Sequence, residues 1–186
     1  MAEPGFIEKY GSSNSDKRVD IMLNYFQEFP SIIEGQSRIL ILKIKNEREY
    51  LHRQSEEDAG AVRLSKALSD PTAGEAIENV SIEDTVFHGK NILELTHELE
   101  FSEKHALRRQ FYILKKMREE YAILQTQLLL LNSNEKKIFE LYTESGHDFQ
   151  RIADQEGIQL ESARRRIWQI RKKIKIKVKD NMLERI

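Results

Sequence analysis

Residues 131–178 read LNSNEKKIFELYTESGHDFQRIADQEGIQLESARRRIWQIRKKIKIKV, and the fold is decided in this stretch. Three helical apolar patterns are separated by two short turn signals. An Asn among residues 132–134 is placed to cap a first helix carrying Ile138, Phe139, Leu141 and Tyr142, which Glu144, Ser145 and Gly146 end. Asp148 is placed to cap a second helix from Phe149 to about Glu156, with Ile152 and Ala153 turned inward. Gly157 and Ile158 then make a tight turn into a third helix that begins near Gln159 or Leu160. A small residue at Ala153 lets two short helices approach closely at a steep angle, and Gly157 tolerates the positive φ of a tight turn. The spacing therefore predicts helix-turn-helix geometry.

On the third helix Leu160, Ala163, Ile167, Ile170, Ile174 and Val178 form one apolar stripe. At 100° per residue the opposite face carries Glu161, Arg165, Gln169 and Lys172. Ser162, Arg166 and Lys173 lie on one shoulder, and Arg164, Trp168 and Arg171 on the other. Nine basic residues and no acidic one occur between Ser162 and Lys179. A basic run on a helix is often only a solvated face, but here it lies on the side that the preceding turn would present to a major groove. Arg and Gln pair with guanine and adenine edges, and shoulder cations meet phosphates. The expected contact set on double-stranded DNA is Gln159, Glu161, Ser162, Arg164, Arg165, Arg166, Gln169, Arg171, Lys172 and Lys173. Glu161 would repel phosphate unless it accepts a hydrogen bond from a cytosine amino group.

Working outward, the charge is unevenly spread. The 186 residues have a net charge of −1, yet residues 131–186 hold thirteen Lys and Arg against nine Asp and Glu, so the remainder is net acidic. The C-terminal part is the candidate anion-binding part. Eight Gly and three Pro are about half the average usage, Val occurs five times, and Lys, Glu, Leu, Ile, Arg and Gln dominate. This composition disfavours a turn-dense β-fold and predicts an all-α chain.

Residues 1–18, with Pro, Gly and a Ser/Asn cluster, read as a flexible tail. Residues 19–53 read as a helical hairpin in which Pro30 stops the first helix or sits in the first turn of the next. The run from Ile39 to Leu42 has strand character by itself, but KNEREYLHRQ after it favours helix. Residues 54–76 read as a linker and 77–131 as a long helical segment in which Gly89 and Ser102 are acceptable breaks. Within it Leu107, Phe111, Leu114, Met117, Tyr121, Leu124, Leu128 and Leu131 form a near-heptad seam, which either packs inside the chain or joins two copies as a homodimer. Residues 132–186 complete the chain as the DNA-binding domain, and residues 131–179 carry a full three-helix pattern expected to fold alone.

Other chemistries find little support. With no Cys, disulfides, thiolate zinc sites and a cysteine nucleophile are excluded. His88, His97, His105 and His147 follow no metal-ligand spacing, and no phosphate loop, dinucleotide motif or nucleophile elbow occurs. The expectation is a non-enzyme without cofactor or metal. The longest apolar runs are four residues and the N-terminus has no signal pattern, which predicts a cytoplasmic protein with no membrane partner.

The stretch NSNEKKIFELYTESGHDFQRIADQEGIQLESARRRIWQIRKKI resembles the region 4 helix-turn-helix of bacterial sigma-70-type factors. The wider chain resembles phage and prophage late-gene regulators of the ArpU/RinA type, through the Pro-interrupted helix pair over residues 25–42 and the SDPTA segment from Ser69 to Ala73. Where those relatives commonly have Leu before the turn Gly and Ser or Thr at the recognition-helix cap, this chain has Glu156 and Gln159. The resemblance implies a sequence-specific transcription regulator, an activator of late genes, with host RNA polymerase as a candidate partner. A sigma-like polymerase subunit and a phage small terminase subunit are the rival readings.

Overall fold

The computed structural model describes residues 5–58, 71–89 and 91–182, and among them all regular structure is helical. In chain order the helices are α1 (Phe6–Ser12), α2 (Ser15–Asn24), α3 (Phe29–Asp58), α4 (Pro71–His88), α5 (Ile92–Leu95), α6 (Phe101–Leu129), α7 (Ser133–Glu144), α8 (Phe149–Glu156) and α9 (Leu160–Asn181). They divide between two units, and the division falls inside α3 and α6. One unit takes its residues from 1–32 and 116–186, the other from 33–115.

In the first unit the N-terminal stretch is ordered by partners distant in sequence. Residues 6–12 are helical rather than a flexible tail, because Phe6 meets Tyr25 and Phe29 edge-on at centroid distances of 5.6 and 6.3 Å and Tyr10 is buried against Phe29. The tail reading of residues 1–18 counted few apolar residues and overlooked that each could be covered; residues 1–4 lie outside the described residues. Asn14 caps α2 by accepting the Lys17 backbone N–H at 2.9 Å, so that helix begins four residues before Val19. Phe26 bridges Tyr121 of α6 and Phe139 of α7 at 5.8 and 5.5 Å between ring centroids.

A buried charge cluster joins α1, α2 and α6 in this unit. Arg18 Nε donates to Glu120 at 2.9 Å, and the Tyr10 hydroxyl donates to the same carboxylate at 2.6 Å. Burial, then the Glu120 charge, pushes the Tyr10 phenol far above its ordinary pKa. Lys116 Nζ lies 3.9 Å from Glu120, and burial lowers its pKa.

Pro30 sits in the first turn of α3, where its missing N–H costs nothing, and Ile39–Leu42 is helical with Leu40 and Ile41 buried. The linker read over 54–76 is narrower, since α3 reaches Asp58 and α4 opens at Pro71. Its middle, residues 59–70 with Ser69 and Asp70 of the SDPTA segment, lies outside the described residues. In the second unit Leu40, Ile44, Ile82, Val86, Phe111 and Leu114 form the core, and Arg108 holds α5 by donating to Thr96 Oγ1 at 2.7 Å and to the Leu93 carbonyl at 3.0 Å.

Residues 77–131 are not one long helix. Gly89, at φ +76°, ends α4, and the second break falls before Phe101, leaving Ser102 inside α6. The seam from Leu107 to Leu131 is buried along its full length within the chain itself. Of the two alternatives for the seam, this burial is that of packing inside the chain. Among the described residues no helix is long and apolar enough to cross a membrane.

Candidate nucleic-acid interface

The site is built on α7, α8 and α9. Asn132 and Glu135 form a reciprocal capping box at the start of α7: Asn132 Oδ1 accepts the Glu135 N–H at 2.8 Å, and Glu135 accepts the Asn132 N–H at 3.2 Å. The Asp148 carboxylate accepts the Gln150 N–H at 2.8 Å and caps α8. Gly157 lies in the left-handed region at φ +62°, and the Ile158 N–H reaches back to the Ala153 carbonyl at 3.0 Å, closing α8 with a Schellman-type bond. Gln159 opens α9 without a side-chain cap, as its departure from Ser or Thr foretells. Glu156, which stands where an apolar residue was expected, is satisfied by Lys137 of α7 at 2.8 Å.

Ala163, Ile167, Ile170, Ile174 and Val178 of α9 are buried, and Leu160 is half-buried. This stripe fixes which residues face outward. Gln159, Glu161, Ser162, Arg164, Arg165, Arg166, Gln169 and Lys172 are exposed. Arg165 and Arg166 make no hydrogen bond or ion pair with any described residue. Arg164 donates to Glu161 at 2.7 Å, so the carboxylate feared to repel phosphate is screened by its neighbour one turn on; both side chains are more than half exposed and the pair is weak.

Four cations in the C-terminal half of the basic run, Arg171, Lys173, Lys175 and Lys179, are engaged inside the unit. Three rungs tie α2 to α9, with a period of four residues on each helix and opposite chain directions. Asn24 accepts from Arg171 at 2.6 Å, Asp20 from Lys175 at 2.7 Å, and Asp16 from Lys179 at 3.0 Å. Arg171 also donates to the Tyr142 hydroxyl at 3.3 Å, and Lys173 Nζ donates to both carboxylate oxygens of Glu135 at 2.9 and 2.7 Å. Arg171 and Lys173, read from sequence as outward phosphate cations, are thus half-buried and paired, whereas the other eight expected residues share one open surface. The acidic partners Asp16, Asp20 and Glu135 escaped the sequence reading. For Asp16 and Asp20 the only signal was the matched four-residue spacing at 16, 20, 24 and at 171, 175, 179.

The pairing registers in the titration of the acids. The hydrogen bond from Lys179 holds Asp16 below its ordinary pKa, and the one from Lys173 does the same for Glu135. Burial, helped by the Arg171 charge, lowers the pKa of His147, whose ring lies 4.6 Å from that of Tyr142.

Beside the outward face an open groove of about 730 Å³ is lined by the aromatic rings of Tyr142, Phe149 and Trp168, with Arg164 and Arg165 also among its lining residues. Arg164 lies over the Phe149 ring at 5.9 Å, and Lys172 over the Trp168 ring at 4.9 Å. Among the described residues no group of three or more His, Asp or Glu side chains is arranged to hold a metal ion. Compared with family models, with curated proteins and with solved structures, the chain finds no match in any of the three.

Proposed function

We propose that this protein is a sequence-specific, double-stranded-DNA-binding regulator of transcription, with α8, the Gly157 turn and α9 acting as a helix-turn-helix. The observation that carries this reading is the division of α9. One face is buried along five positions, and the opposite face leaves Arg165, Arg166, Gln169 and Lys172 exposed, with two arginines unpaired among the described residues. Unpaired guanidinium groups on a rigid helix suit both phosphate and guanine. In this reading Arg165 and Gln169 read base edges, Arg164, Arg166 and Lys172 meet phosphates, and no residue has a catalytic task. The sequence resemblance adds the finer proposal of a phage or prophage late-gene activator with a sigma-70 region 4-like motif, acting with host RNA polymerase.

Affinity measurements on a duplex selected from a random library and on random DNA test the assignment. Arg165→Ala or Gln169→Ala should lose roughly 1 to 3 kcal/mol on the selected duplex with little change on random DNA. Arg166→Ala should weaken both and reduce the salt slope by about 0.9. Equal weakening of both DNAs by all three variants would overturn the base-reading assignment. A full chain that prefers no duplex until core RNA polymerase is added would favour a sigma-like subunit instead.

A further inference from the structure

Trp168 is the largest apolar side chain on α9, and it is 61% exposed among cations. The core does not need it, because the inward positions around it are filled by Ala163, Ile167 and Ile170. The ring instead meets a cation and a groove. Lys172 Nζ sits over it at 4.9 Å, and the indole lines the groove together with Tyr142 and Phe149.

Around the helix axis Trp168 lies about 60° from Arg165 and about 40° from Lys172 at 100° per residue. A base-pair edge brought against Arg165 is therefore flanked on one side by the indole and on the other, about 40° from Arg165, by Gln169. In the major groove every base pair presents hydrogen-bonding groups, and the one apolar group displayed is the thymine C5-methyl. A polar base edge pressed on the face of the indole, away from its Nε1–H, would lose water without gaining a partner, whereas a methyl group there removes apolar surface from water on both sides.

We propose, on the footing of the DNA-binding reading above, that Trp168 is a specificity-determining residue that receives the C5-methyl of a thymine in the major groove. The operator then contains a thymine recognised by its methyl group alone, next to positions read by hydrogen bonding.

The test uses the full chain and the duplex recovered by selection, with each thymine replaced in turn by deoxyuridine, which removes only the methyl group. One replacement in each recognised site should weaken binding about four-fold, as expected for one buried methyl-sized group. Trp168→Ala should bind the parent duplex more weakly and lose this sensitivity. Trp168→Phe, which keeps an apolar ring, should retain it. Because the side chain is exposed, both variants should match the parent in helicity and melting temperature. Sequence-selective binding with no sensitive thymine, or with undiminished sensitivity in Trp168→Ala, overturns the inference alone and leaves the groove to another partner. Failure to prefer any duplex overturns the DNA-binding reading and the inference together.

Discussion

Lys173 and Glu135 show how one contact changes the meaning of a residue. Helical phase puts Lys173 on a shoulder of α9 where a phosphate contact is expected, but its ammonium is spent on the carboxylate that also completes the α7 capping box. Lys173→Ala should accordingly lower the melting temperature and leave the salt slope of DNA binding almost unchanged. Glu135→Ala, which also removes the Glu135 half of the capping box while Asn132 still caps the helix, should cost about 1 kcal/mol of stability in urea unfolding. The folded-state pKa of Glu135 lies below its ordinary value, so its contribution is full above the ordinary carboxylate range and is lost as the pH falls through the lowered value. His147 has the same sign in a higher window. Its folded pKa is also lowered, so the unfolded chain takes up the proton first and stability declines as the pH drops below the ordinary histidine value. Melting temperature against pH should show both declines, with Glu135→Gln flattening the lower one. His147→Asn should flatten the upper one, since Asn tolerates the φ of +72° found there.

At the scale of elements, the angle between α8 and α9 rests on Gly157. A β-carbon there would meet nothing within 4 Å, so the requirement is backbone conformation and not space. Gly157→Ala should destabilise by roughly 1 to 2 kcal/mol, the cost of a left-handed L-residue, with Gly157→Asn in between. Urea unfolding of the three proteins checks that order, and a Gly157→Ala protein as stable as the parent would refute it. The α2 to α9 ladder is a second element-scale device. Asp16 and Asp20 hold Lys175 and Lys179 in place, so the open cationic surface is confined to the N-terminal part of α9, up to Lys172.

At the scale of the molecule, the unit that carries α9 is assembled from both ends of the chain. Arg18 and Glu120 are 102 positions apart and are buried together with Tyr10. Arg18→Ala leaves the buried Glu120 carboxylate with only the Tyr10 hydroxyl and Lys116 Nζ at 3.9 Å, and should cost about 3 kcal/mol. The three-helix pattern of residues 131–179 carries the expectation that they fold alone, but the grouping of both chain ends in one unit predicts that residues 131–186 are not sufficient by themselves. Cut out alone, they lack α1, α2 and the 116–129 portion of α6, whose Met22, Met117 and Leu124 are fully buried in this unit. Thermal unfolding followed by circular dichroism should show no cooperative transition for the 131–186 fragment under conditions where the full chain gives one.

The sequence by itself determined the local structure from Asn132 to Val178, because caps, turn glycines and apolar spacing act between residues at most five apart. Asn132, Asp148 and Gly157 each perform the task their chemistry predicts, and Ala163, Ile167, Ile170, Ile174 and Val178 are all buried. Only the tertiary structure decided which cations of α9 stay open. Phase around a helix gives a direction, but Lys173, Lys175 and Lys179 meet carboxylates from residues 38 to 163 positions away, and no local spacing specifies such a meeting. The same limit explains α1, where a short polar segment is held by Phe29 and Glu120. It explains the leucine seam too: its period is that of an interface, and whether the covering helix belongs to the same chain or another depends on how distant segments fold back.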